Sequence, residues 1–107
     1  MSGDDALDAM MQVLRAEYLA EAPARLAEFR TQLDAWEAGD AAACDRLHRL
    51  AHQMAGSAGS YGFADASTAA RQMERLLQPA PTPDAALLAV LRAAVQFLET
   101  SFTNASA

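Results

Sequence analysis

The chain has 107 residues, a hydrophobic fraction of 52% and a formal net charge of −6. That leaves room for one domain with one core and argues against a nucleic-acid surface, which needs clustered Lys and Arg. It contains no lysine, so every fixed side-chain cation is an arginine, and Cys44 stands alone, which excludes an internal disulfide or a cysteine zinc site.

Alanine and leucine prevail over β-branched and aromatic residues, a composition that favours helices. The acidic opening Met1-Ser2-Gly3-Asp4-Asp5 lacks the apolar stretch of a secretory signal. No apolar run reaches the ~20 residues of a membrane span, so a cytoplasmic domain is expected. The initiating methionine and short tails favour a free-standing module.

Taken in chain order, the periodicity is helical. Leu7, Met10, Met11, Leu14 and Tyr18 form one stripe, which resumes after Pro23 as Leu26, Phe29, Leu33 and Trp36. Pro23 cannot bond the carbonyl of Leu19, so it either starts a new helix or kinks a long one. Gly39 suits a C′ position and Asp40 an N-cap. A second helix is predicted from about 41 to 60, burying Cys44, Leu47, Leu50, Ala51, Met54, Ala58 and Tyr61. Its opposite face carries Asp45, His48, Arg49, His52, Ala55, Gly56 and Gly59, and Gly62 closes it.

A third helix, from about 64 to 77, buries Ala66, Ala69, Ala70, Met73, Leu76 and Leu77. The run Gln78-Pro79-Ala80-Pro81-Thr82-Pro83 breaks the chain. Thr82 as N-cap, Pro83 at the first helical position and Asp84 in the first turn then open a last helix. It presents Leu87, Leu88, Leu91, Val95, Leu98 and Phe102 and frays into Thr103-Asn104-Ala105-Ser106-Ala107. Short connections between amphipathic helices imply an all-α fold, an antiparallel up-down four-helix bundle. It forms one domain over 1–107 with a core from about 5 to 102, and a monomer, because one bundle can bury all four stripes. Trp36, the methionines and Cys44 are expected in that core.

Within the second helix, His52 precedes Gly56 by four residues and Gly59 by seven. Glycine inside a helix costs about 1 kcal/mol relative to alanine, so the placement asks for a reason. Bare backbone one turn beyond an exposed imidazole opens a flat surface where another protein can bring a reactive group to the ring, which points to a phosphate-carrying histidine. The other reading of the two glycines is close helix packing. His48, one turn earlier, completes an i, i+4 pair of the kind that binds transition metals. With no third ligand evident, it is read as a solvated or interface residue, and no metal or cofactor is expected. There is no glycine-rich phosphate loop with a following lysine, hence no nucleotide site.

The segment His52-Gln53-Met54-Ala55-Gly56-Ser57-Ala58-Gly59, with Gly62 behind it, resembles the signature of histidine-containing phosphotransfer (HPt) domains. The likeness extends to Tyr18-Leu19, Glu21-Ala22-Pro23, Leu26, Leu33 and Ala38-Gly39-Asp40 before the motif. Leu47, Leu50 and Ala51 match the approach to the histidine, and Ala70, Met73, Glu74 and Leu77 the helix after it, so roughly residues 10 to 100 are covered.

The resemblance implies phosphorylation of His52 on Nε2, with Glu74 orienting the ring by holding the proton on Nδ1. It also implies partners that are receiver domains of response regulators, with a hybrid histidine kinase as a further candidate and Mg²⁺ on the receiver side. The domain would be a phosphocarrier without kinase or ATPase activity. Gly56 and Gly59 would admit the receiver surface, Ser57 would donate a hydrogen bond to it or back-bond within its own helix, and Ala55 and Phe63 would form the interface centre. One departure stands out: most members carry lysine where this chain has Ala55, and Arg49, Arg71 or Arg75 would have to replace its charge. That keeps open a second function, a helical module that binds a receiver or kinase without carrying phosphate.

Overall fold

A computed structural model describes residues 3–106; Met1, Ser2 and Ala107, the ends of the acidic opening and the polar tail, lie outside them. Four helices follow one another: α1 Gly3–Glu37, α2 Ala42–Ser60, α3 Ala64–Leu76 and α4 Ala85–Ser106. Each helix touches its neighbours in the chain, α4 closes the ring on α1, and the diagonal pairs do not meet. This is the expected four-helix bundle.

α1 is unbroken through Pro23. Pro23 is exposed, and it leaves the Leu19 carbonyl without its intrahelical donor. The tight connections follow from glycine. Gly39 has φ 108° and Gly62 φ 84°, values that an L side chain rarely adopts. At the end of α1, Asp40 N–H reaches the Ala35 carbonyl and Gly39 N–H that of Trp36; at the end of α2, Phe63 and Gly62 repeat the pattern onto Ala58 and Gly59. Both are Schellman closures. Asp40 also accepts from the Ala42 N–H, as an N-terminal cap should. The last helix starts two residues later than the sequence suggests. Its cap is Asp84, which accepts from Leu87 N–H through Oδ1, and not Thr82. It also stays helical through Ser106 where fraying is expected, because Phe102 is pinned in the core and Ser106 bonds its carbonyl.

The core runs along the bundle axis. Leu26, Phe29, Leu33 and Trp36 meet Leu47, Ala51, Met54 and Ala58, with Ala70 and Met73 from α3 and Leu88, Leu91, Val95 and Leu98 from α4. Each fully buried leucine contributes roughly 1.5–3 kcal/mol. One end is closed by an aromatic cluster: Tyr18 lies 5.1 Å from Tyr61 and 5.7 Å from Phe63 between ring centroids, and Phe102 meets both Tyr18 and Phe63. α4 is long and apolar enough to cross a membrane by length and composition, contrary to the expectation that no such run exists, yet its core face is committed to the bundle. Cys44 is buried as expected, and burial, with the Asp45 charge adding to it, raises its thiol pKa.

Five residues expected on apolar stripes are not core. Leu76 is exposed on α3, and the whole N-terminal stripe Leu7, Met10, Met11 and Leu14 is exposed on α1. The reason is length. α1 has 35 residues, about 52 Å of helix, and the molecule measures 56 Å along its long axis, so the first turns have no helix opposite them. The premise that one bundle covers all four stripes therefore fails.

Leu47→Ala should lower the unfolding free energy by about 2–5 kcal/mol, and Gly39→Ala by about 1 kcal/mol through its positive φ alone. Denaturant melts followed by circular dichroism check both, and an unchanged midpoint for Gly39→Ala would contradict the closure described.

Candidate functional site

The site lies where α2 and α3 run closest. Ala51, Ala55 and Ala58 on α2 and Ala66, Ser67 and Ala70 on α3 are buried and small, so the two backbones approach without large side chains between them. Ser67 is the only buried polar residue among the described residues; its Oγ donates to the Ala55 carbonyl at 2.7 Å, which binds the two helices at the level of the histidine. Sequence reasoning missed this residue. A signal was present, since Ser67, Ala70 and Glu74 share one face at i, i+3 and i+7.

His52 projects from the third turn of α2, with its side chain 73% exposed. Its Nδ1 is 2.5 Å from Oε2 of Glu74, whose own side chain is only 20% exposed. A carboxylate accepts and cannot donate, so this contact selects the tautomer with the proton on Nδ1. The Nε2 lone pair is then unprotonated and faces away from Glu74. The pairing of His52 with Glu74, inferred from resemblance, is thus present as a direct contact.

His48 departs from its expected solvated position. Its side chain is 21% exposed, and Nε2 is buried without a hydrogen-bond partner, 3.8 Å from the same Glu74 oxygen. Glu74 therefore sits between two imidazoles one turn apart and is in hydrogen-bond range of one. Among the described residues, no group of three His, Cys, Asp or Glu side chains is placed to hold a metal ion.

The remaining candidates divide. Gly56 is exposed, and a Cβ built on it would meet nothing within 4 Å. Gly59 is different: its Cβ would come 3.1 Å from Ser67 Oγ, so that glycine serves the helix seam. Ala55, expected on an exposed flank, is 4% exposed and packs in the core; it cannot be the centre of a docking surface. Phe63 is half-buried, with one part of its ring committed to the aromatic cluster. Ser57 is held by Tyr18, with 2.9 Å between the two oxygens, and the Tyr18 hydroxyl also approaches Met54 Sδ at 3.1 Å. The polar half of Tyr18 was not legible, because its partner depends on how α1 and α2 are registered.

None of the arginines proposed to stand in for lysine contacts His52. Arg49 pairs with Asp45 at 3.2 Å along its own helix. Arg71 and Arg75 are exposed on α3, with no ion pair among the described residues.

A comparison with curated proteins and another with solved structures gave no significant match. A family model, that of the Hpt domain, matches residues 13–101. That span takes in most of α1, the His52–Glu74 pair and most of α4. Architecture, exposed histidine and family match agree, and the chain belongs to the Hpt domain family.

Proposed function

We propose that His52 is the phosphoryl-carrying residue, accepting the group from a phospho-aspartate of one receiver domain and returning it to the aspartate of another. The single observation that carries this reading is the 2.5 Å contact between His52 Nδ1 and Glu74 on an otherwise exposed ring. In the forward step the Nε2 lone pair attacks phosphorus, an N–P bond forms, the P–O bond to the aspartate breaks, and the aspartate leaves as a carboxylate. No proton moves from the reacting nitrogen. The proton on Nδ1 stays in place, and Glu74 balances the positive charge that the phosphorylated ring acquires. Return transfer reverses each bond change.

Catalysis of this kind depends on in-line positioning and on neutralising charge. This domain supplies the position, through a ring fixed by Glu74 and an open surface at Gly56. Mg²⁺ and the aspartate belong to the receiver. The partners are accordingly receiver domains, a hybrid histidine kinase that carries one is a possible donor, and the setting is cytoplasmic.

The second reading, a binding module that carries no phosphate, is favoured by one observation: Ala55 leaves the lysine position without charge, and none of Arg49, Arg71 and Arg75 contacts His52.

Incubation with a phosphorylated receiver should label the wild type with an acid-labile, alkali-stable phosphate and leave His52→Gln unlabelled. An unlabelled wild type across a full set of receivers would favour the binding module. Glu74→Ala should slow transfer at least about tenfold, the scale of one hydrogen bond to a charged group, while circular dichroism shows the bundle still folded. Gly56→Ala gives a two-sided test. It should stabilise the helix by up to about 1 kcal/mol, because nothing opposes the new methyl, while reducing transfer by crowding the receiver. Faster or unchanged transfer in that more stable variant would remove Gly56 from the docking surface.

A further inference from the structure

The first turns of α1 carry a hydrophobic face that the bundle does not use. Every residue from 3 to 17 is exposed, including Leu7 at 62%, Met10 at 57%, Met11 at 42% and Leu14 at 36%. Their i, i+3, i+4, i+7 spacing continues the face that buries Tyr18 and Ala22 lower down, so this is a core stripe extended past the end of the core. The cleft between α1 and the end of α4 is lined by Arg15, Ala16 and Leu19 with Ala105 and Ser106. The last described turn of α4 is therefore at that level, and α2 and α3 meet at the Tyr61–Phe63 turn beside Tyr18.

We propose that the stripe is the interface of an antiparallel homodimer, in which the overhanging turns of two copies pack on one another. A second copy supplies a surface of matching shape and hydrophobicity by symmetry, as an isologous contact requires. Charge then decides the direction. Asp8 and Arg15 flank the same side of the stripe. In the antiparallel register that sets Met11 of one copy beside Leu14 of the other, Asp8 of each copy comes opposite Arg15 of the other. A parallel pairing would instead stack the acidic first turns, with Asp4, Asp5 and Asp8, on their like. Arg15 is held at the root of the overhang, with its guanidinium 5.0 Å above the Phe63 ring. A ring face occupies one side of the guanidinium plane and leaves its edge N–H groups for a carboxylate.

The area is modest. The stripe exposes on the order of 400 Å² of apolar surface per copy, large for a monomer yet, doubled and with its flanks, only near the lower bound of about 1,200 Å² for specific interfaces. The dimer is consequently weak and concentration-dependent. His52 is on α2, outside this stripe, so pairing and phosphoryl transfer are separable, and His52→Gln should pair as the wild type does.

Sedimentation equilibrium of the full chain from about 1 μM to 1 mM brackets the dissociation of an interface this small. The mass should rise towards twice the monomer mass. Leu7→Glu/Met11→Glu should stay monomeric while keeping the thermal midpoint of the bundle. Asp8→Arg should weaken association about tenfold, and the swap Asp8→Arg/Arg15→Asp should restore part of it. A wild type that remains monomeric throughout overturns the proposal, as does a dimer that survives Leu7→Glu/Met11→Glu. Monomeric protein whose stripe becomes protected only when a receiver is added overturns it in favour of a partner surface.

Discussion

The close approach of α2 and α3 is the constraint on which the site depends. A carboxylate on one helix can hold an imidazole on the next at 2.5 Å only if the helices are near each other and fixed in register. Here the near approach comes from alanines and from Gly59, and the register from Ser67, whose hydroxyl donates to the Ala55 carbonyl. That hydrogen bond also explains how a buried serine is tolerated in a core otherwise made of apolar side chains. Larger residues at 55, 59 or 67 would push α3 outward and carry Glu74 with it. The ring would then rotate freely, and either nitrogen could hold the proton. The small residues around the motif thus fix the geometry of the His52–Glu74 pair.

The same packing recasts the missing lysine. Position 55 faces the seam, so a long cationic side chain there would have to run out along the surface to reach solvent near the histidine. Alanine fits without that detour and lets the seam close. The consequence is a site with no fixed cation in contact with His52, in a chain of net charge −6. On the proposed reading, transfer to such a ring would ask more of the receiver, which would have to bring the compensating positive charge. His48 adds a further element. Its buried Nε2 lies 3.8 Å from the oxygen that His52 uses, so any movement of Glu74 towards it is movement away from His52.

The fold was legible because its signals are local. Hydrophobic stripes, the two positive-φ glycines and the proline-rich break each act within a turn or two of themselves, and together they specify four helices and short antiparallel connections. His52 was legible for a related reason: glycine in mid-helix is a cost that local structure does not explain. What escaped notice depends on relations between helices. The periodicity alone places Ala55 on the outer face of α2, whereas a helix packed against two neighbours buries a broader arc. Ser67 and the Tyr18 hydroxyl find their partners only once the helices are registered. The thermodynamic role of Gly59 differs from that of Gly56 for the same reason, although the two residues are equivalent in the sequence pattern.

The N-terminal stripe is the most instructive difference. Periodicity reports that a face avoids water; it does not report what covers that face. Leu7, Met10, Met11 and Leu14 carry the same periodic signal as Leu26, Phe29 and Leu33, yet the first set projects beyond α4 and the second lies against it. Length separates them, since α1 has 35 residues and its first turns run past both the α2–α3 turn at the aromatic cluster and the described end of α4. Had these turns been polar, the overhang would be an ordinary solvated helix end. Their apolar character, with Asp8 and Arg15 on one flank in an arrangement that complements itself antiparallel, is what the proposed pairing of two copies rests on. If His52 carries the phosphoryl group and the stripe pairs two copies, as proposed, the two tasks fall on different helices, α2 and α1, and neither constrains the residues of the other.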